Sequence, residues 1–379
     1  MVFFFGKKKK KFLSLDIGTE SVKGITFCVS EKKIFIENAS LAYLDNFNIF
    51  DTLDFPKEVM RRAITKVCSD LFSNKETIDK ALISLPEKNI FERLASWQTR
   101  RATPGQKISR KEQESIYGKA IEDSYASVQK EMGINGKDLE LLDKNVSEGR
   151  INGYEIKELQ GYKGGDIDLS VYLAFADKKY IKGFREYFAD FSWQQKILVS
   201  TNGAILDNFA YERSSVLFLD IGGDVTKILA IKAGWPFFAG QINQGSHHLT
   251  LALASALGMS HDTARDFKHR YSDGVLSSQT AKQVKEVLAI DLRQWSGDLS
   301  RELEGKGFRP SKIYLFGGGA QLLDYRQEVS RIWPNVSADR MSAKNFSNLL
   351  KPGQTIDTFS PVQFLPAIIN STYAIKWNF

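Results

Sequence analysis

Hydrophobic and polar positions alternate along this chain with two periods, and turn residues stand where one gives way to the other. Residues 13–17 and 217–221 are short apolar runs carrying one aspartate; each meets a glycine and resumes as a second apolar run. Such runs on either side of a glycine predict a strand, a tight turn and a returning strand. Aligned, 13–23 and 217–227 agree at six of eleven positions, with Glu20 against Asp224 a conservative seventh. The chain is therefore expected to use one hairpin twice, opening two related lobes.

The remaining pattern fills in around these hairpins. Strands are predicted over 32–42, 81–85, 167–176, 197–200, 235–242 and 311–316. Pro56 should open a helix with Val59, Ala63, Val67 and Leu71 on one face and Met60, Ile64, Cys68 and Phe72 beside them. Ser246 can cap a helix through Leu249, Leu253 and Leu257 to a stop at Gly258. Val284, Leu288, Leu292, Trp295, Leu299 and Leu303 share one side of a long helix over 282–303. Further helices are expected over 179–191, after the turn Thr201-Asn202-Gly203, from Ala320 to Trp333, and over 366–375. From Pro86 the character changes: 86–163 is polar, with a helix over 110–132 punctuated by Gly133 and Gly136. Arg93, Arg100, Arg101, Lys107, Arg110 and Lys111 there form a basic cluster, read as a solvated face.

These elements predict an α/β protein of two duplicated lobes with a small α+β subdomain inserted in the first. The expected division is a tail, 1–11; lobe one, 12–85 and 164–200, with the final helix, 361–379; the insertion, 86–163; lobe two, 201–245 and 305–360; and an outer subdomain of lobe two, 246–304. A chain of 379 residues is long for a single core and fits two.

Composition changes the picture in two places. Five of the seven net positive charges come from Lys7 to Lys11, so the body is nearly balanced and no diffuse basic surface for nucleic acid is expected. The same lysines follow Phe3, Phe4 and Phe5. That run is too short to span a bilayer, but it combines shallow apolar insertion with attraction to anionic lipid, about 1 kcal/mol per lysine. Residues 2–11 are thus either an anchor to an anionic membrane surface or a solvated tail. Cys28 and Cys68 lie in apolar-periodic segments and read as buried thiols. The four histidines, among them His247, His248 and His261, have no zinc spacing and read as surface or capping residues.

Three glycine turns after apolar strands, at Asp16, Asp220 and Phe316, call for one explanation. Magnesium keeps most of its waters and wants one or two carboxylates nearby; Asp16 and Asp220, one per lobe, suit it through bound water. Backbone N–H groups at Gly18, Thr19, Gly222 and Gly223, and the hydroxyls of Thr19, Ser21 and Thr226, suit phosphates. Lys23 could reach them as a point charge. Gly317, Gly318 and Gly319 leave a flat surface for a nucleoside. The expected ligands are ATP or ADP with Mg²⁺; a Walker-type run is absent, so the site is not a P-loop.

At this point the residues resemble a family. Leu15-Asp16-Ile17-Gly18-Thr19, Leu219-Asp220-Ile221-Gly222-Gly223 with Thr226, and Phe316-Gly317-Gly318-Gly319-Ala320 are similar to the phosphate-one, phosphate-two and adenosine motifs of the actin-like ATPases. Within that superfamily the chain resembles the branch of cell-division protein FtsA and pilus-assembly protein PilM, from Phe12 to the end. Asn152-Gly153-Tyr154 through Gln160-Gly161-Tyr162, and the strand from Leu169 to Phe175, are more like FtsA. The ending directly after the last helix is more like PilM. Departures are Asp224, where glycine is common, Lys227, where an acid or threonine is common, and Ala264-Arg265 before Lys268, where the family often has Ala-Glu beside the nucleoside.

The resemblance implies an actin-like fold of the ribonuclease H-like kind, with nucleotide between the lobes, Lys268 near the nucleoside and at most slow hydrolysis. Asn202, at the lobe crossing, is the candidate for orienting a water. The expected function is that of an FtsA-type cytoskeletal protein: cytoplasmic, peripheral at the inner face of the cell membrane, self-associating into filaments and joined to a tubulin-like division protein. The alternative is a PilM-type protein holding the cytoplasmic tail of a pilus membrane protein by its insertion. A sugar or acid kinase of the same superfamily is a further reading, and a nucleotide-free scaffold another.

Overall fold

The computed structural model describes residues 10–44, 57–72, 77–131, 138–156, 158–209, 213–350 and 362–377. The aromatic run and first lysines of the tail, Pro56, Gly133 and Gly136 lie outside them.

The predicted duplication is literal. In lobe one, β1 (Phe12–Ile17) runs antiparallel to β2 (Ser21–Ser30), which pairs with β3 (Lys33–Tyr43); β1 also runs parallel to β4 (Lys80–Ser84), and β4 to β9 (Gln195–Leu198). Lobe two repeats this order with β10 (Val216–Ile221), β11 (Thr226–Lys232), β12 (Trp235–Ile242), β13 (Lys312–Phe316) and β14 (Ser337–Arg340), arranged β12-β11-β10-β13-β14. Both hairpins close with the same bond, Gly18 N to Ser21 O and Gly222 N to Val225 O, each 3.0 Å.

Helices cover the sheets with the faces the sequence displays. On α1 (Lys57–Leu71), Met60, Ala63, Ile64, Val67, Cys68 and Leu71 are buried. Burial pushes the Cys68 thiol up to about 12, so it stays protonated and inert. All six residues assigned to one side of the long helix, α7 (Ser278–Leu303), are buried. The other helices are α2 (Arg110–Glu131), α3 (Lys178–Tyr187), α4 (Thr201–Phe209), α5 (Ser246–Leu257), α6 (His261–Ser272), α8 (Leu323–Ile332), α9 (Leu365–Ser371) and α10 (Tyr373–Lys376). The single final helix expected over 366–375 breaks at Thr372. There the Ser371 and Thr372 hydroxyls bond Ile368 O and Ile369 O, competing with the helical ladder.

The insertion is larger than 86–163. Its sheet has the order β5-β8-β6-β7, from β5 (Ile90–Arg100), β6 (Leu139–Ile151), β7 (Tyr154–Ile156) and β8 (Asp166–Asp177). The strand assigned to lobe one is β8, hydrogen-bonded along both β5 and β6. Its apolar run from Tyr172 to Ala176 reads as a lobe core because it is buried on both faces, in the middle of this sheet. β5 and β6 escaped sequence reading for two reasons. A buried acid, Glu92, interrupts the apolar face of β5, and register shifts at Leu141/Asp143 and Ser147/Gly149 break the period of β6. One member of the basic cluster is structural: Arg101 is buried, with a two-pronged pair to Glu112 at 2.8 and 3.0 Å and a bond to Gly164 O.

Where the three sheets meet, a charged network is sealed from solvent. Glu92 of β5 accepts from Tyr172 Oη of β8, Ser200 Oγ and Asn202 Nδ2, each at 2.7 Å. Lys227 of β11 donates to Ile90 O at 2.6 Å and stands 4.0 Å from Glu92. The insertion, lobe one and lobe two are thus pinned at one point.

Candidate functional site

Gly18, Gly222 and Gly318 share one crevice. Its walls are the two hairpin turns and the turn after β13, with Asp16, Thr19, Ser21, Lys23, Asp220, Gly223 and Gly317 also facing it. Topology accounts for part of this: β10 runs parallel to β13, so their carboxyl ends and the turns that follow emerge on one edge of the lobe-two sheet, and β1 runs likewise beside β4 in lobe one.

The acids and lysines repeat with the hairpins. Asp16 lies opposite Lys23 across the first hairpin, and Asp220 opposite Lys227 across the second. In lobe one the pair is closed: Lys23 Nζ donates to Asp16 at 3.0 Å, while Ser84 Oγ donates to the other carboxylate oxygen, also at 3.0 Å. Burial lowers the Lys23 ammonium, but Asp16, Asp220 and Glu20 overcome this and hold it above its ordinary range. Lys23 is therefore a fixed positive charge in the crevice. In lobe two the lysine turns away to the Glu92 network.

Gly317 is needed where it stands. Its φ is +85°, and a Cβ there would lie 2.2 Å from Asp220 Oδ1 and 2.8 Å from Ile221 O. Gly318 has nothing within 4 Å of a Cβ and opens to the crevice. Gly319 instead packs on Ile221, whose Cγ2 would be 2.4 Å from a Cβ, and does not line it.

Several expected ligand groups are engaged elsewhere. The Gly18 and Gly222 N–H groups close their own turns. Thr226 Oγ1 donates to Gln244 O at 2.8 Å and accepts from Trp295 Nε1 at 2.9 Å, fully buried in lobe two. Asn202 is in the first turn of α4, its amide on Glu92, and does not line the crevice. Thr-Asn-Gly has the composition of a turn, but here it starts a helix. Ser246 is not the cap of α5: Gly245 holds that position, its N–H on His248 Nδ1 at 3.3 Å. Lys268 lies not in the main crevice but in a pocket joined to it, shared with Tyr43, His269, Gly318 and Gln321.

Two further acids stand at the hairpin tips: Asp224, marked in the sequence as a departure, and Glu20, to which the sequence assigns no role. Thr19 Oγ1 accepts from Asp224 N at 3.1 Å, so the hairpin tips touch, and a Cβ on Gly223 would lie 2.4 Å from that hydroxyl. Asp224 is buried with Oδ2 unbonded among the described residues. Burial raises its carboxyl, more than His247, Lys88 and His248 lower it. Glu20 accepts from Ser246 Oγ at 3.0 Å, Thr250 Oγ1 at 3.3 Å and Lys268 Nζ at 3.2 Å, with His247 Nδ1 3.6 Å away. Burial alone would raise the Glu20 carboxyl; Lys268, His247 and Ser246 together reverse this and hold it well below its usual value. Its contribution to stability is present above the unfolded-state pKa and fades as pH falls through the lower folded one. For Glu20 the available signal is its position, as the duplicate of Asp224.

Of the histidines expected at the surface or at caps, His248 does cap α5, accepting from Gly245 N, while others are drawn inward. His247 is buried and meets His261 at 3.2 Å between ring nitrogens, and His269 packs on Tyr43. Arg265, where glutamate was expected, is buried with its guanidinium 4.8 Å from the Tyr43 ring.

The main crevice is open to solvent, and the part of it that water can occupy is about 50 Å³, room for a few waters. Among the described residues no group of three or more His, Cys, Asp or Glu could hold a metal, and no helix is long and apolar enough to cross a membrane.

No family model and no curated protein matches this sequence. Solved structures do. A structure of the PilM–PilN type IV pilus biogenesis complex is similar over 98% of this chain and 99% of its own, with a TM-score of 0.69 at 13% identity. The fold is that of the actin-like ATPases. Ethanolamine utilization protein EutJ from Carboxydothermus hydrogenoformans (TM-score 0.48, 14% identity, 87% of this chain and 85% of that) and the apo form of the pSK41 ParM protein (0.39, 11%, 98% and 99%) are more distant. In the actin-like frame the crevice between the two hairpins is the cleft between the lobes, and the β5-β8-β6-β7 sheet is the insertion.

Proposed function

We propose that the chain is a PilM-type, nucleotide-responsive adaptor that holds the cytoplasmic tail of a membrane protein of a pilus-like assembly. The observation that carries this is the likeness to the PilM–PilN structure, end to end in both chains with the inserted sheet included. It favours this reading over the FtsA type. The location that goes with it is cytoplasmic, at the membrane by way of the partner, with residues 2–11 a second contact to anionic lipid.

The residues around the crevice suit a magnesium nucleotide by type. Asp16 and Asp220 would hold a hydrated magnesium ion; Lys23, Thr19 and the Gly223 turn would face phosphates; Gly317 and Gly318 would floor the nucleoside. A bound magnesium ion would supply the positive charge that Asp16 and Asp220, one from each hairpin, share across the crevice. Because Thr19 and Asp224 join the tips, the lobes must part for entry. Gly317 fixes the third wall, and Lys227 ties the hairpin that moves to the insertion. Ligand state and partner grip are thereby linked through one buried contact.

Fluorescence anisotropy of a labelled PilN-type cytoplasmic tail with the full chain tests the reading. Saturable binding that shifts with Mg-ATP is expected. Binding of a tubulin-like division protein's tail, with none of the PilN-type tail, would return the FtsA reading.

A further inference from the structure

Glu20 belongs to lobe one, yet its described hydrogen-bond donors all come from lobe two: Ser246 and Thr250 of α5, and Lys268 of α6. Lys268 is 2% exposed, and besides Glu20 it donates only to Ser246 O, at 2.9 Å, among the bonds described. A buried ammonium flanked by two hydroxyls is a cradle for an anion, because a buried positive charge needs a counter-charge. Within lobe two the described acceptor is Ser246 O, neutral, taking Lys268 at 2.9 Å and Thr250 Oγ1 at 3.4 Å. The carboxylate that does arrives from the tip of the opposite hairpin, two residues from Gly18 and on the wall of both the crevice and the adjoining pocket.

We propose that lobe two carries an anion-binding cradle, made by Ser246, Thr250 and Lys268, whose resident occupant is the Glu20 carboxylate and whose displacing ligand is a phosphate group. With the Thr19–Asp224 contact, the Glu20 ion pair is a latch that holds the lobes closed on their own residues. A ligand phosphate that takes the cradle releases the tip of the first hairpin and opens the crevice. The inference deepens the proposed function, since it names the contact that a phosphate-bearing ligand must break. It also gives Glu20 a role that a lone acid in a turn does not reveal.

Free inorganic phosphate tests the cradle without nucleotide. Glu20→Ala leaves Lys268 buried and unmatched, and its melting temperature should fall by roughly 5 °C or more. Phosphate should then bind the variant at least tenfold more tightly than wild type and restore the lost temperature in a saturable way. Lys268→Met in the same background should abolish both effects. Should Glu20→Ala fail to fold, Glu20→Gln carries the test: it keeps the length, loses the charge, and should also bind phosphate more tightly than wild type. Acetate, the size of the removed group, is the second probe. Rescue by acetate with no response to phosphate would overturn the ligand class. Equal responses of wild type and both variants, or a response that survives Lys268→Met, would overturn the cradle. Loss of Mg-ATP binding elsewhere in the crevice leaves these results unaffected, so the two readings fail separately.

Discussion

Glu92→Ala is expected to destabilise the chain by about 3–5 kcal/mol, more than any other single substitution in the polar interior. Glu92 is 5% exposed and Lys227 is 2% exposed. Removing the carboxylate takes the acceptor from Tyr172, Ser200 and Asn202, each at 2.7 Å, leaves the Tyr172 and Ser200 hydroxyls only each other at 2.6 Å, and leaves the Lys227 ammonium with Ile90 O alone among its described bonds. Each stranded donor costs its desolvation, and a buried charge without its counter-ion costs more. Because the network joins insertion, lobe one and lobe two, the loss should also reduce the cooperativity of unfolding. Urea denaturation checks this: a large drop in midpoint is expected for Glu92→Ala and a smaller one for Glu92→Gln, which keeps one acceptor oxygen. A midpoint within error of wild type would show that the network is solvated in solution.

Gly317→Ala should be nearly as costly, roughly 3 kcal/mol, for a different reason. At φ +85° an L side chain pays about 1–2 kcal/mol in backbone strain. The added carbon would also sit 2.2 Å from Asp220 Oδ1 and 2.8 Å from a backbone carbonyl, so the turn or the acid must shift. A shift of Asp220 reaches the crevice directly. Gly318→Ala, one residue on with open space around its Cβ, is the control and should leave stability within about 0.5 kcal/mol of wild type. Thermal unfolding of the pair separates the two sites.

What could be read beforehand follows from how each feature is encoded. The hairpins and their duplication were legible because apolar period-two runs, an aspartate and a glycine are all local, and the six-position face of α7 repeats over several turns. The insertion was legible as a change of character. Its sheet was not, since β5 hides a buried glutamate on its apolar side and β6 changes register twice. The crevice residues Asp16, Lys23, Gly222 and Gly317 were marked by their turns. Glu20 was passed over because its partners are 226, 230 and 248 residues away, on helices whose own pattern says nothing of a lobe-one acid. The interior bonds of Thr226 and Asn202 are illegible for the converse reason: a hydroxyl or amide beside a turn gives no sign of whether it faces a ligand or the core.

Titration calorimetry of the full chain with Mg-ATP, beside Asp220→Ala, tests the central claim that the two hairpins form one magnesium-nucleotide site. Saturable one-to-one binding is predicted for wild type. For Asp220→Ala at least a tenfold loss of affinity is predicted, with an unchanged circular dichroism spectrum. Heat no greater than dilution for wild type, or equal affinity in a folded Asp220→Ala, would contradict it.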